Sequence, residues 1–147
     1  MQDKATQPAT APFMVRIAAM VYELLLVTAV VFVASFLILP LVGELKAPWQ
    51  RHLYQVYILA VLFAYFAAFW LRSGQTLAMK TWRIRLVTVD GSRLTLKRAA
   101  LRFVLALLGL LLAGAGFVWA LFDRDGQFLH DRIAGTRLVR VPRKTGT

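Results

Sequence analysis

The chain has 147 residues, of which 59% are hydrophobic, with a mean hydropathy of +0.63, a net charge of +11 and no cysteine. That length fits one domain, and the apolar share is well above a soluble domain's usual level, which points to a membrane protein. The missing cysteines exclude disulfides, thiol chemistry and Cys-ligated zinc, and the basic residues lie between apolar runs, where membrane topology puts them, so nucleic acid is not an expected partner.

Residues 1–12 are polar, contain Pro8 and Pro12, and are expected to be a disordered tail. The first apolar segment, about 17–42, exceeds the roughly 20 residues a helix needs to cross a bilayer and the about 7–15 of a signal peptide, so it reads as a retained span. Arg16 and Glu23 sit two turns apart on one face, with Glu23 about 10 Å deeper. An ionisable group at that depth calls for a partner or a wet cavity. Arg98 and Arg102, four apart on the helix that enters the third apolar run, can supply that partner in a buried ion pair that fixes how the helices dock; the other reading makes Arg16, Glu23 and Arg102 polar groups on a proton- or ion-handling pathway. The small residues Ala18 and Ala19, and Gly109 and Ala113, offer faces for close helix contact.

The second span is about 53–71. The loop before it has only Lys46 and Arg51, whereas residues 72–100 carry seven basic residues against Asp90, so the second loop is expected to be cytoplasmic, as is the N-terminus. In that loop TLAMKTWR predicts a short interfacial helix begun by Thr76. Its Lys80 and Arg83, with Lys97 and Arg98, are candidates for contact with anionic lipid headgroups. WRIRLVTVDGSRLTL, with Asp90-Gly91, predicts a β-hairpin.

The third apolar segment, about 101–122, is followed by a tail with six Lys or Arg, and 22 residues cannot cross a bilayer twice. A re-entrant helix pair broken at Gly114-Ala115-Gly116 satisfies both constraints; the alternative is a third full span. TRLVRV, Thr136 to Val141, can then join the hairpin in a small cytoplasmic sheet. The expected fold is an all-α polytopic membrane protein with two full transmembrane helices, a re-entrant pair and this β-element. Trp49, Trp70, Trp82 and Trp119 are expected to anchor at the interfaces.

Asp123, Asp125, His130, Asp131 and Arg132 fall at the membrane boundary as a polar clasp between tail and loop. Asp131 is expected to accept from Arg132, from Arg83 or Arg85, or from the backbone amides of residues 134–136. No nucleophile stands at a recognisable spacing, so catalysis is not expected. The run DRDG lacks the closing ligands of a calcium loop, so no metal or cofactor is expected either.

Three blocks, VRIAAMVYELLLV, GQTLAMKTWRIRLVTVDGSRLTLKRAALRF and LFDRDGQFLHDRIAGTRLV, resemble the RDD family of small bacterial membrane proteins, named for an arginine and two aspartates. The resemblance covers residues 13–141 as one membrane domain, leaving 142–147 as a C-terminal tail. Arg16 fits the arginine and Asp131 the last aspartate, while Glu23 stands where the other aspartate falls. The resemblance implies a bacterial inner-membrane protein, with transport of ions or small solutes as the role suggested by topology. An accessory or scaffold protein that binds a membrane partner or anionic lipid is the other expectation. Three apolar segments hardly enclose a pathway, so a homo-oligomer or membrane-protein partner is expected.

Overall fold

The computed structural model describes residues 9–112, 114, 118–123 and 126–142. Two long helices dominate: α1, Phe13–Val42, and α2, Pro48–Ser73. At 1.5 Å per residue they are about 45 and 39 Å long, enough to cross a bilayer's hydrocarbon core of about 30 Å. Both are strongly apolar, with mean hydropathy of 2.8 and 1.8 over their best windows, yet only 6% and 11% of those windows is buried. Phe32, Phe36 and Leu41 are 73 to 82% exposed. A soluble core helix would bury such side chains, so this surface suits lipid.

Local chemistry sets the helix ends. Gly43 closes α1 with its amide on Leu39 O at 2.9 Å, and Pro48 opens α2 where a missing N–H costs nothing, with the Gln50 side chain accepting from Ala47 N. Hydroxyls stitch the hairpin along its length. Tyr54 hydrogen-bonds Ser35 at 2.6 Å, and Tyr57 donates to Ala34 O at 3.2 Å. Such interhelical bonds stand in for the hydrophobic drive that lipid does not supply.

Past α2 the chain turns at Gly74, whose φ of +68° is left-handed, into the five-residue helix α3, Leu77–Thr81, begun by Thr76 as predicted. Strand β1, Ile84–Thr88, follows, then α4, Leu96–Leu111, capped by Thr95. After a 3₁₀ turn, Trp119–Leu121, come α5, Leu129–Ala134, and β2, Thr136–Arg140.

The small sheet is antiparallel, β1 against β2, from Ile84 opposite Arg140 to Thr88 opposite Thr136. TRLVR therefore joins this sheet, but the local hairpin does not form. Asp90 Oδ1 accepts from Ser92 N at 3.0 Å and Ser92 Oγ at 2.6 Å, an Asx turn that steers the chain toward α4 instead of back along β1. Both sheet edges are occupied. Ala9 O and Ala11 N bond β2 at Arg140 and Leu138, while Gly74 O and the Gln75 side chain bond β1 at Leu86 N and Ile84 O.

The third apolar segment thus leaves the sheet and returns to it. Its outgoing limb is α4, ending three residues before Gly114, whose φ is +75°. Among the described residues the return includes the 3₁₀ turn Trp119–Leu121. Ala113, the Ala115-Gly116 part of the expected break, Asp125, residues 1–8 of the N-terminal tail and most of the C-terminal tail lie outside the described residues. The core sits at the sheet end, where Trp70, Met79, Ile84, Leu86, Ala99, Phe128 and Leu138 pack with Ala19. Ala19 is therefore spent inside the chain and is not a face for an oligomer.

Candidate functional site: a polar layer beside the sheet

Four charged side chains named from the sequence, Arg16, Glu23, Arg102 and Asp131, enter the sheet end of the bundle from three different elements. Arg16, Arg102 and Asp131 are 3%, 5% and 1% exposed, which is far below what charged side chains ordinarily show. Helix α1 supplies Arg16 and Glu23, α4 supplies Arg102, and α5 supplies Asp131 with His130.

Asp131 pairs with Arg102, whose Nε donates to Oδ1 at 2.7 Å. This replaces the expected donors: Arg132 turns instead to Asp123, and Arg83 and Arg85 are exposed away from the layer. Sequence separation explains the error, since Arg102 and Asp131 are 29 residues apart and meet only because the third apolar segment folds back. The indole of Trp70 lies 4.4 Å from the Arg102 guanidinium carbon, so a second face of the cation rests on a π-surface. Trp70 is thus 3% exposed beneath Arg102 and not an interfacial anchor, whereas Trp49, Trp82 and Trp119 are 40 to 62% exposed.

Arg16 packs its guanidinium 4.9 Å from the Phe128 ring centroid and 5.8 Å from that of Phe13. Asp131 and Asp123 act on it through their fields without a contact ion pair. Gly126 leaves room for it, as a Cβ there would come 3.4 Å from an Arg16 nitrogen. His130 lies parallel to Phe128, ring centroids 5.5 Å apart, with Nε2 3.7 Å from Asp131. Burial lowers its pKa to about 4 against the opposing pull of Asp131, so at neutral pH it is uncharged and this contact is not an ion pair.

Glu23 has neither expected partner. Arg98 on α4 is held by Asp90 through Nη2 to Oδ2 at 2.9 Å, and Arg102 by Asp131, although the field of Arg102 still reaches Glu23. Instead Tyr65 on α2 donates to Glu23 Oε1 at 2.9 Å, and the Thr76 hydroxyl donates to Oε2. Thr76 accepts from Met79 N with the same oxygen, so the residue that starts α3 also holds the carboxylate in α1. Among the described residues Glu44, Asp90, Asp123 and Asp131 are ion-paired with Lys46, Arg98, Arg132 and Arg102, and Glu23 is not.

The sequence reading missed Tyr65, Thr76, Trp70 and Phe128. Thr76 was legible as a helix cap, and nothing in the pattern tied it to Glu23. Of the residues expected at lipid headgroups, Lys80, Arg83 and Lys97 are exposed, but Arg98 is engaged by Asp90. That contact, with Ser92, holds the Asp90 carboxyl well below the usual carboxylate range. Among the described residues no group of three or more His, Cys, Asp or Glu could hold a metal ion.

An arginine near the start of the first apolar helix, an acid one span face deeper and an aspartate at α5 are the layer's charged framework, and the RDD family model matches residues 10–135, most of the chain. The chain belongs to the RDD family. A curated relative, Uncharacterized protein RP437 of Rickettsia prowazekii (strain Madrid E), is 37% identical over 81 residues, which is 54% of this chain and 44% of that protein. The match therefore spans less than half of that relative's length. No solved structure matches the chain. RDD membership and the two long apolar helices mark a membrane protein.

Proposed function

We propose that this RDD protein is a multi-pass protein of the bacterial cytoplasmic membrane that works as an oligomeric transporter of ions or small solutes, with Glu23 on the pathway. The supporting observation is the company Glu23 keeps: two neutral hydroxyls and no contacting cation. An acid that only docks helices is expected to meet a cation, because breaking even with desolvation needs one. An acid that takes up and releases a proton or cation needs donors that can rearrange, and Tyr65 and Thr76 are such donors. Arg16 and Arg102 set the local potential.

In this reading α1 and α2 are the two crossings, the third apolar segment enters and leaves on the sheet side, and both termini are cytoplasmic. Pairing of β1 with β2 on either side of that segment supports it, as does the surplus of Lys and Arg there. Three apolar segments are too few to enclose a pathway, so a second copy or a membrane-protein partner completes it, without enzymatic chemistry. A non-transporting scaffold is the second reading, and the buried Arg102–Asp131 pair, a fixed joint between tail and bundle, favours it.

Flux of protons and monovalent cations in proteoliposomes tests the first reading with Glu23→Gln. The amide keeps one acceptor for Tyr65 or Thr76, so the transport reading expects a variant that melts near wild type but has lost flux. Flux equal to that of wild type, or none in either protein under any ion gradient, favours the scaffold.

A further inference from the structure

The sheet end has more cations than its own carboxylates can use. Asp90, Asp123 and Asp131 are each engaged by an arginine, and Arg72, Lys80, Arg83, Arg85 and Arg140 are exposed with no carboxylate within ion-pair distance among the described residues. The fold brings these five to the end of the sheet beside α2, with Arg85 and Arg140 on its two faces. Arg72 lies in the last turn of α2, and a Cβ on Gly74 would come 3.2 Å from Arg85 Cγ, so the Arg85 stem runs over the end of that helix. Arg83 O accepts from Val141 N at 2.8 Å, which sets Arg83 across from Val141 at the end of the sheet where β2 finishes with Arg140, the partner of Ile84. Lys80 O accepts from Arg83 N at 3.2 Å, and Trp82 between them is 40% exposed.

Arg83 carries a second signal. Its φ of +52° makes it the one non-glycine residue in the left-handed region among those described, at the position after the α3 C-cap where glycine is favoured. The side chain finds no carboxylate inside the fold to offset that strain. A cation kept at a glycine position, exposed and unused internally, points outward to a ligand.

We infer that Arg72, Lys80, Arg83, Arg85 and Arg140 form a binding surface for the phosphate headgroups of anionic phospholipid, with Trp82 seated at the boundary. The surface begins in the last turn of a membrane-length apolar helix, so the bilayer's own headgroups are its nearest anions. Arginine forks match phosphate, and an exposed tryptophan suits a boundary that is apolar on one side and wet on the other.

Titration of the detergent-solubilised full chain with phosphatidylglycerol or phosphatidylcholine, read by native mass spectrometry, tests this. Phosphatidylglycerol is expected to bind more tightly, and Arg83→Gly to weaken it about fivefold, the effect of one cation near an anionic surface. The same variant should melt no lower than wild type, because glycine relieves the backbone. Arg140→Gln should act alike, while Arg93→Gln, beyond the far end of β1, should leave affinity unchanged. Equal affinity for the two lipids overturns the inference and leaves the patch to an acidic protein partner. Equal effects of Arg83→Gly and Arg93→Gln overturn it as a defined surface, and full displacement of lipid by millimolar inorganic phosphate identifies a free-phosphate site instead.

Discussion

Replacing Asp131 with Asn removes the anion from a pair whose side chains are 7% and 1% exposed, leaving the Arg102 guanidinium buried over Trp70 with only a neutral amide to face. Arg16 loses part of its compensating field in the same step. Stranding one partner of a buried pair costs about 3–5 kcal/mol, because the remaining charge keeps its desolvation penalty. At about 2–4 °C per kcal/mol for a chain of this size, the midpoint should fall on the order of 10 °C. Thermal unfolding in a mild detergent, followed by intrinsic tryptophan fluorescence, reads it. The double variant Arg102→Met with Asp131→Leu removes both charges and should recover much of the loss, since no buried ion is left uncompensated. A single variant that melts within about 1 °C of wild type, against the loss expected for a stranded charge, would refute the idea that this pair joins the tail to the bundle.

Stability should also fall in mild acid. His130 is neutral when folded, with a pKa lowered to about 4, and takes up a proton on unfolding near 6.5, so its contribution is complete above that value and lost as pH drops. By pH 5 the loss amounts to about 2 kcal/mol, and His130→Gln should flatten the melting curve's dependence between pH 7 and pH 5; an unchanged slope would contradict it. Gly74→Ala should destabilise by about 2 kcal/mol or more, since Gly74 has φ of +68° and a Cβ there would meet Leu86 O at 2.7 Å; wild-type melting would show that α2 and β1 are not so close. Thr76→Val should lower stability through both the lost α3 cap and the lost donor to Glu23, whereas Thr76→Ser should retain both.

Much of the architecture could be read from the chain because bilayer crossing is a length criterion: the apolar segments at about 17–42 and 53–71 lie within α1 and α2. Each helix extends past its apolar segment because less apolar ends such as Pro48 to His52 continue the same helix. TRLVR and IRLVT were legible as strands, but Asp90-Gly91 supports an Asx turn as readily as a hairpin, and only the folded-back third segment decides their partner. The candidate site was half legible for a related reason. Arg16, Glu23, Arg102 and Asp131 stood out as charges beside or inside apolar runs. Their pairings depend on how α4 and α5 meet, and a neutral partner such as Tyr65 leaves no charge pattern to find.

The account stands on one placement: β1 and β2 together on the cytoplasmic side. The chain has no native cysteine, so Arg85→Cys and Arg140→Cys each add a single reporter. Both should resist a membrane-impermeant maleimide in intact cells and react in inside-out vesicles. Labelling of the residue 140 variant from outside intact cells, with the residue 85 variant still protected, would mean that the third apolar segment crosses the membrane, contradicting the pairing.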